Sequence, residues 1–267
     1  MALLASEKLG LPVDKIDVVL GDTRLPPGPL SGGSMASASL VPAVSDAASK
    51  VIEALLAAAR HAPKSRFAEQ KASELAFTNG RVHKKNESPA SGMPFQELLN
   101  ESNLHSVSAD GSSKSTFGGK KKFSSHSFGA HFIEVTWQPE IARLRVNRTV
   151  TVIDAGRIIN PLAGRNQIEG AVVMGIGMAL LEETNYDPRN GCPYNSNLAD
   201  YIVATNADVP KLEVHFLDYP DMNLNDLGAR GIGEIGLAGV AAAISGAVYH
   251  ATGFRARELP IRIENLL

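Results

Sequence analysis

Apolar positions along this chain keep two periods, and the elements are legible where one period gives way to the other. Residues 41–59, 162–183 and 237–252 carry them at the spacing of a helix face. Residues 132–137 and 144–153 alternate as strands do, joined by a turn near Pro139. The run 75–82 reads as a hairpin turning at Asn79-Gly80. Shorter runs predict a strand at 16–20, a helical piece at 95–99 and strands at 201–203 and 212–218. An edge strand is expected at 261–263, after Pro260, and no repeat of fixed period emerges.

Glycines and prolines punctuate these elements. Gly10 ends a helix over 2–9, and Pro12 keeps it from continuing. With no earlier element to pack on, that helix reads as the tail of something begun in mid-domain. Pro26, Pro27 and Pro29 enforce an extended loop before the helix at 41–59, whose Pro42 is tolerable in a first turn. From Lys84 to Lys122 the chain turns polar, with Lys120, Lys121 and Lys122 as a solvated tip. The polar loop at 100–122 is the expected boundary between subdomains 1–122 and 123–267 of one domain over 1–267. Gly164, Gly170, Gly175 and Gly177 fall inside one helix, at a cost of about 1 kcal/mol each against alanine. They imply close packing on a neighbour or a cofactor.

Composition narrows the class. The 267 residues, 44% hydrophobic and 20% charged, describe a globular protein able to bury a substantial core. A formal net charge of -2 makes no electrostatic case for nucleic acid or an anionic membrane. The single cysteine, Cys192, excludes an intrachain disulfide and a cysteine-ligated cluster, and has no neighbours that would make it a nucleophile. The uncharged run 235–254 could mimic a membrane span, but its alanines and glycines, with Ser245, Tyr249 and His250, favour a packed helix. No secretory signal is expected at Met1-Ala2-Leu3-Leu4, which runs into Ser6-Glu7-Lys8.

Two stretches carry candidate chemistry. Gly228-Ala229-Arg230-Gly231-Ile232-Gly233-Glu234-Ile235-Gly236 sets one carboxylate in a glycine-rich run ahead of a helix. The backbone there is either shaped around a ligand with an acid or base aimed at it, or a plain turn whose Glu234 favours the helix dipole. Ser31-Gly32-Gly33-Ser34-Met35-Ala36-Ser37-Ala38-Ser39 precedes the helix at 41–59 and is either an anion cradle or an ordinary serine cap. Nicotinamide, P-loop, serine-hydrolase and zinc-hydrolase readings fail: the glycine order is G-x-x-G-x-G, and the other motifs are absent. His126 and His131 lack a third ligand nearby.

Three stretches together, in order and spacing, resemble the molybdenum hydroxylases, the xanthine dehydrogenases and aldehyde oxidoreductases. The first runs from Leu9-Gly10-Leu11-Pro12 through Leu20-Gly21-Asp22-Thr23 to Ser31-Gly32-Gly33-Ser34. The second is Asp154-Ala155-Gly156-Arg157-Ile158-Ile159-Asn160-Pro161 with Gln167-Ile168-Glu169-Gly170-Ala171. The third is Gly231-Ile232-Gly233-Glu234, closing with Ala251-Thr252-Gly253 and Leu259-Pro260-Ile261. The similarity covers nearly the whole chain and points to the C-terminal part of the large, molybdopterin-binding subunit.

That resemblance implies an α+β fold of mixed sheets packed with long glycine-rich helices. It implies a molybdenum-molybdopterin cofactor, of the cytosine dinucleotide form. Gly33, Ser34, Met35, Ala36, Ser37 and Ser39 would form its loop, with the Ala36 backbone approaching the metal and the serines lining pterin and phosphate. Gln167 resembles a pterin-contacting glutamine, the alternative being an exposed helical one. Arg230, Gly231 and Gly233 flank the site, and Arg230 either orients a substrate or cofactor phosphate or forms a structural ion pair. Glu234 resembles the catalytic base, which takes a proton as water-derived oxygen is transferred to an aldehyde or N-heterocycle, with aldehydes favoured. Burial strengthens a carboxylate as a base, while a helix N-terminus keeps it ionised.

The family's subunits are several times longer, so this chain reads as a portion of one. The expected partners are the N-terminal part of the large subunit, an iron–sulfur subunit and an FAD subunit. The expected location is the cytoplasm, or the periplasm if exported with a signal-bearing partner. The alternative is a non-catalytic cofactor-binding or assembly module that needs the rest of the subunit. An unrelated glycine-rich binding protein is the third reading.

Overall fold

The computed structural model describes residues 1–62, 65–113 and 123–267; the segment 114–122, with its expected lysine tip, lies outside the described residues. The described chain forms two compact units, Met1–Phe123 and Ser124–Leu267.

In the first unit α1 (Ala2–Leu9) ends at Gly10, whose φ is 62°, and packs on α2 (Ala36–His61). The predicted strand at 16–20 is absent. A 3-10 turn at Val13–Lys15 precedes it, and Val18, Val19 and Leu20 stand 42%, 64% and 69% exposed with no strand beside them among the described residues. A short apolar run becomes a strand only where a neighbouring edge pairs with it. The second correction concerns α2, which starts at Ala36 rather than 41. Its first turn takes in Ser37 and Ser39, so Pro42 stands one turn deeper than predicted and withholds the N–H that the Ala38 carbonyl would accept. Val41, Ser45, Ala48, Leu55 and Ala59 form its buried stripe.

The hairpin is as predicted. β1 (Leu75–Thr78) and β2 (Arg81–Lys84) pair antiparallel with Thr78 opposite Arg81. Asn79 and Gly80 between them both take positive φ, 51° and 69°, as a two-residue turn matched to strand twist requires. β3 (Met93–Pro94) extends the sheet, and α3 (Phe95–Glu101) helps close a core of Leu55, Ala59, Phe67, Leu75, Val82, Met93 and Leu98. Part of the polar stretch behind α3 is tied to α2: Lys50 Nζ donates to the Asp110 carbonyl at 3.0 Å, and the Ser112 N–H to Asp46 at 3.0 Å.

In the second unit β4 (Phe128–Gln138) and β5 (Arg143–Asp154) form an antiparallel pair. The chain then crosses through α4 (Pro161–Leu180) to β6 (Lys211–Phe216), which runs parallel to β5. Asn160 caps α4, its side-chain oxygen accepting the Ala163 N–H at 3.1 Å, with Pro161 in the first position. α5 (Val240–Thr252) packs on β4 and α4 around Val146, Val172, Ile176, Ala179, Val240, Ile244, Val248 and Ile261. It begins at Val240, later than the predicted 237, because the turn 233–239 precedes it. The predicted strands at 201–203 and 261–263 are absent; Ile261 donates one hydrogen bond to the Ala179 carbonyl at 2.7 Å, and a 3-10 helix, Ile263–Leu266, follows. No described helix is long and apolar enough to cross a membrane.

Candidate functional site

In the second unit the candidate residues gather beyond the carboxyl ends of the parallel strands β5 and β6, where open sheets commonly place ligands. β5 ends at Asp154, which is 5% exposed. Its carboxylate accepts the Gly156 N–H at 3.1 Å, and the chain there crosses the stretch 228–230. Ala155 and Gly228 carbonyls accept the N–H groups of Arg230 and Arg157 at 2.8 and 3.0 Å. The crossing requires glycine: Gly156 has φ 66°, and a Cβ there would lie 2.1 Å from the Gly228 carbonyl oxygen.

Arg230, half-buried beside this crossing, places its guanidinium on Asp154 and 3.5 Å from Asp221. The Ser125 hydroxyl also donates to Asp221. That bond is the chief reason the Asp221 carboxyl is held below its ordinary value; burial opposes it, while the Asn223 N–H and Arg230 add to it. The arginine Nε is buried and has no hydrogen-bond partner among the described residues. Of the two roles left open for Arg230, the structure provides the ion pair. One guanidinium between two carboxylates leaves no net positive charge to draw a phosphate.

The chain then runs to Glu234 under restraint on both sides. The Gly231 carbonyl accepts from Ser127 Oγ at 2.5 Å, and the Gly233 carbonyl from Gln167 Nε2 at 2.8 Å. Ile232 and Ile235 pack on the Ile153, Ala155 and Ile168 cluster, while Glu234 is exposed. Gly236 lies against α4, where a Cβ would come within 2.9 Å of Ala171. Glu234 therefore does not cap a helix: its carbonyl accepts the Leu237 N–H at 3.1 Å in a turn, and α5 starts only at Val240. The expected burial and helix N-terminus are both absent at Glu234 in this chain. His131, bonded through Nδ1 to Thr151 Oγ1 at 3.0 Å, adjoins Gly239, and burial pushes its imidazole below the usual value. No cluster of metal-binding side chains occurs among the described residues.

The first unit holds the other candidates. Gly33 and Ser34 both take positive φ, 58° and 55°, inside a turn closed by the Met35 N–H on the Gly32 carbonyl at 3.2 Å. Met35 is the N-cap of α2 and provides no side-chain cap, and Ala36, Ser37 and Ser39 belong to the helix's first turn rather than to a preceding loop. The N-cap side chain thus takes none of the first-turn N–H groups, and N–H groups at a helix N-terminus are the kind of donor that suits an anionic, phosphate-bearing cofactor.

Sequence reasoning did not single out Ser125, Ser127, Asp221 or Asn225. Asn225 is buried and closes the 225–229 loop, its Nδ2 donating to the Ala229 carbonyl at 2.7 Å. A buried acid at the end of an apolar strand was a readable signal for Asp154. The others lie far along the chain from the partners they hold, and no local pattern marks them.

The family model for the molybdopterin cofactor-binding domain matches residues 1–210. The chain is 37% identical over 270 residues to the aldehyde oxidoreductase molybdenum-binding subunit of Escherichia coli (strain K12), covering 100% of this chain and 34% of that one. It is 31% identical over 270 residues to the xanthine dehydrogenase molybdenum-binding subunit of Escherichia coli O157:H7, covering 98% and 34%. The crystal structure of quinoline 2-oxidoreductase from Pseudomonas putida 86 superposes with a TM-score of 0.80 at 26% identity, over 99% of this chain and 34% of that one. The chain thus spans about a third of the length of these relatives.

Proposed function

This chain belongs to the molybdenum hydroxylase family, as its molybdopterin cofactor-binding domain, and we propose that it supplies the general base, Glu234, for hydroxylation of an aldehyde. N-heterocycles are the second substrate class. The observation that carries the reading is the setting of Glu234: exposed, outside any helix, on a turn whose carbonyls on the near side are tied to Ser127 and Gln167. A carboxylate held in place without being sequestered is suited to take up a proton from a bound reactant.

When bound, the molybdenum cofactor supplies two-electron redox chemistry and acidifies water-derived oxygen. In the first unit the turn at Gly33 and Ser34 would bring backbone up to the cofactor, Met35 and Ala36 would continue that approach, and Ser37 and Ser39 would offer hydroxyls at the N-terminus of α2. In the second unit Glu234 accepts the proton, and Gly231 and Gly233 keep bulk away from the backbone next to it. The nearer identity to an aldehyde oxidoreductase subunit supports the aldehyde reading. The cytosine dinucleotide form of the cofactor, iron–sulfur and FAD partner subunits, and a cytoplasmic location complete the proposal.

One observation favours a second role for the chain on its own. It spans a third of its relatives' length, so cofactor-binding surface without turnover is expected until the remaining length is supplied. The test is Glu234→Gln in the cofactor-loaded enzyme that contains this chain. General-base loss should lower kcat by about 10²–10⁴-fold with molybdenum content unchanged. Loss of the metal, or retained turnover, would overturn the assignment.

A further inference from the structure

We infer that Asp154, Arg230, Asp221 and Ser127 are positioning residues that set the place of the Glu234 carboxylate, and that Arg230 is not a cofactor ligand. The inference rests on Glu234 being the base. The stretch from Arg230 to Gly233 is a short bridge between two fixed points. At its start, the Arg230 backbone N–H is bonded to the Ala155 carbonyl, and its guanidinium to Asp154 and Asp221, the latter also held by Ser125. Midway, Ser127 takes the Gly231 carbonyl; at the end, Gln167 takes that of Gly233.

Stability alone does not account for this arrangement. A largely desolvated charge triad carries a cost that an apolar side chain of the same volume avoids, and the buried Nε, which has no hydrogen-bond partner among the described residues, adds to it. The guanidinium provides direction: two carboxylates on separate segments, the end of β5 and the 217–230 loop, meet on one planar fork at the root of the turn. Glycines at 231 and 233 have no side chains of their own to anchor that turn, so these external bonds act with the packing of Ile232 and Ile235 to set the path of the backbone that carries Glu234.

The test is residue-resolved amide exchange on the chain, with Arg230→Met and Ser127→Ala. Arg230→Met should speed exchange of the bonded amides of residues 230 and 237 by about tenfold or more while the amides of β5 and α4 keep their rates. Ser127→Ala should do the same by roughly five-fold, the loss of one hydrogen bond; should Arg230→Met fail to fold, this variant decides. In the cofactor-loaded enzyme, Arg230→Met should lower kcat with little change in KM, and Arg230→Met with Glu234→Gln should be no slower than Glu234→Gln alone. Unchanged exchange of the 230 and 237 amides in the variants that fold overturns the inference, and so does loss of bound molybdenum with those amides still protected. Retained turnover in Glu234→Gln overturns the base assignment instead and leaves the exchange result standing.

Discussion

Gln167 and Gly233 are joined by one hydrogen bond, side-chain Nε2 to backbone oxygen at 2.8 Å, which couples α4 to the turn carrying Glu234. Gln167 is otherwise an exposed residue of that helix, so the bond is its evident contribution to the chain. Gln167→Ala should lower the unfolding free energy of the second unit by about 1 kcal/mol in urea titration, the usual worth of such a bond. A variant of unchanged stability would show that solvent replaces the amide without loss.

Much of the fold was legible because its signals are local. The alternation at 132–137 and 144–153 needs no knowledge of the rest of the chain, and Asn79-Gly80 names its own turn. The failures were non-local. Whether Val18, Val19 and Leu20 pair with a strand depends on an edge elsewhere. α2 starts earlier than the sequence pattern predicts because Ser37 and Ser39, which favour caps in isolation, serve as first-turn residues in the structure. α5 begins three residues later than its apolar pattern predicts because the turn 233–239, held by Gly236 against α4, precedes it. Within the candidate site, the acid of interest stood out among glycines, but the Asp221 carboxylate and Ser127 hydroxyl that restrain its turn could not be found without the fold.

The crossing of residues 156 and 228 tolerates no side chain. Gly156→Ala would force a positive φ on a residue with a Cβ and drive that Cβ toward a carbonyl oxygen 2.1 Å away. The expected loss is about 2–4 kcal/mol, the sum of backbone strain and overpacking. It should appear as an early unfolding midpoint with an unchanged urea slope. A neutral outcome would mean that the two segments do not cross as described.

Two groups give the second unit a defined acid sensitivity. Burial depresses the His131 imidazole below its ordinary 6.5, and hydrogen bonding, led by Ser125, depresses the Asp221 carboxyl below 3.8. In each case the unfolded chain binds the proton first, so stability falls as pH falls. The His131 contribution is complete above about pH 6.5 and is lost as pH drops from there through its folded value. The Asp221 contribution is complete above about pH 3.8 and is lost below it. Urea midpoints measured across pH should show both declines, with His131→Gln removing the upper one and Asp221→Asn reducing the lower, to which Asp187 and Glu213, also depressed by their basic partners, contribute.

The glycines of α4 are not equivalent, and the difference can be measured. A Cβ on Gly175 would lie 2.5 Å from the Val240 side chain of α5, whereas a Cβ on Gly170 would meet nothing within 4 Å. Alanine gains about 1 kcal/mol over glycine in a helix interior, so Gly170→Ala should stabilise the unit by roughly that amount. At Gly175 the same gain is outweighed by overpacking, and Gly175→Ala should be destabilising by about 1–2 kcal/mol net. Pairing it with Val240→Ala makes the cause identifiable. Removing the valine methyls opens the space the new Cβ needs, so the double variant should be less damaged than the two single losses added together. Simple additivity would mean that α4 and α5 do not meet at this point, and that the glycine serves something other than their contact.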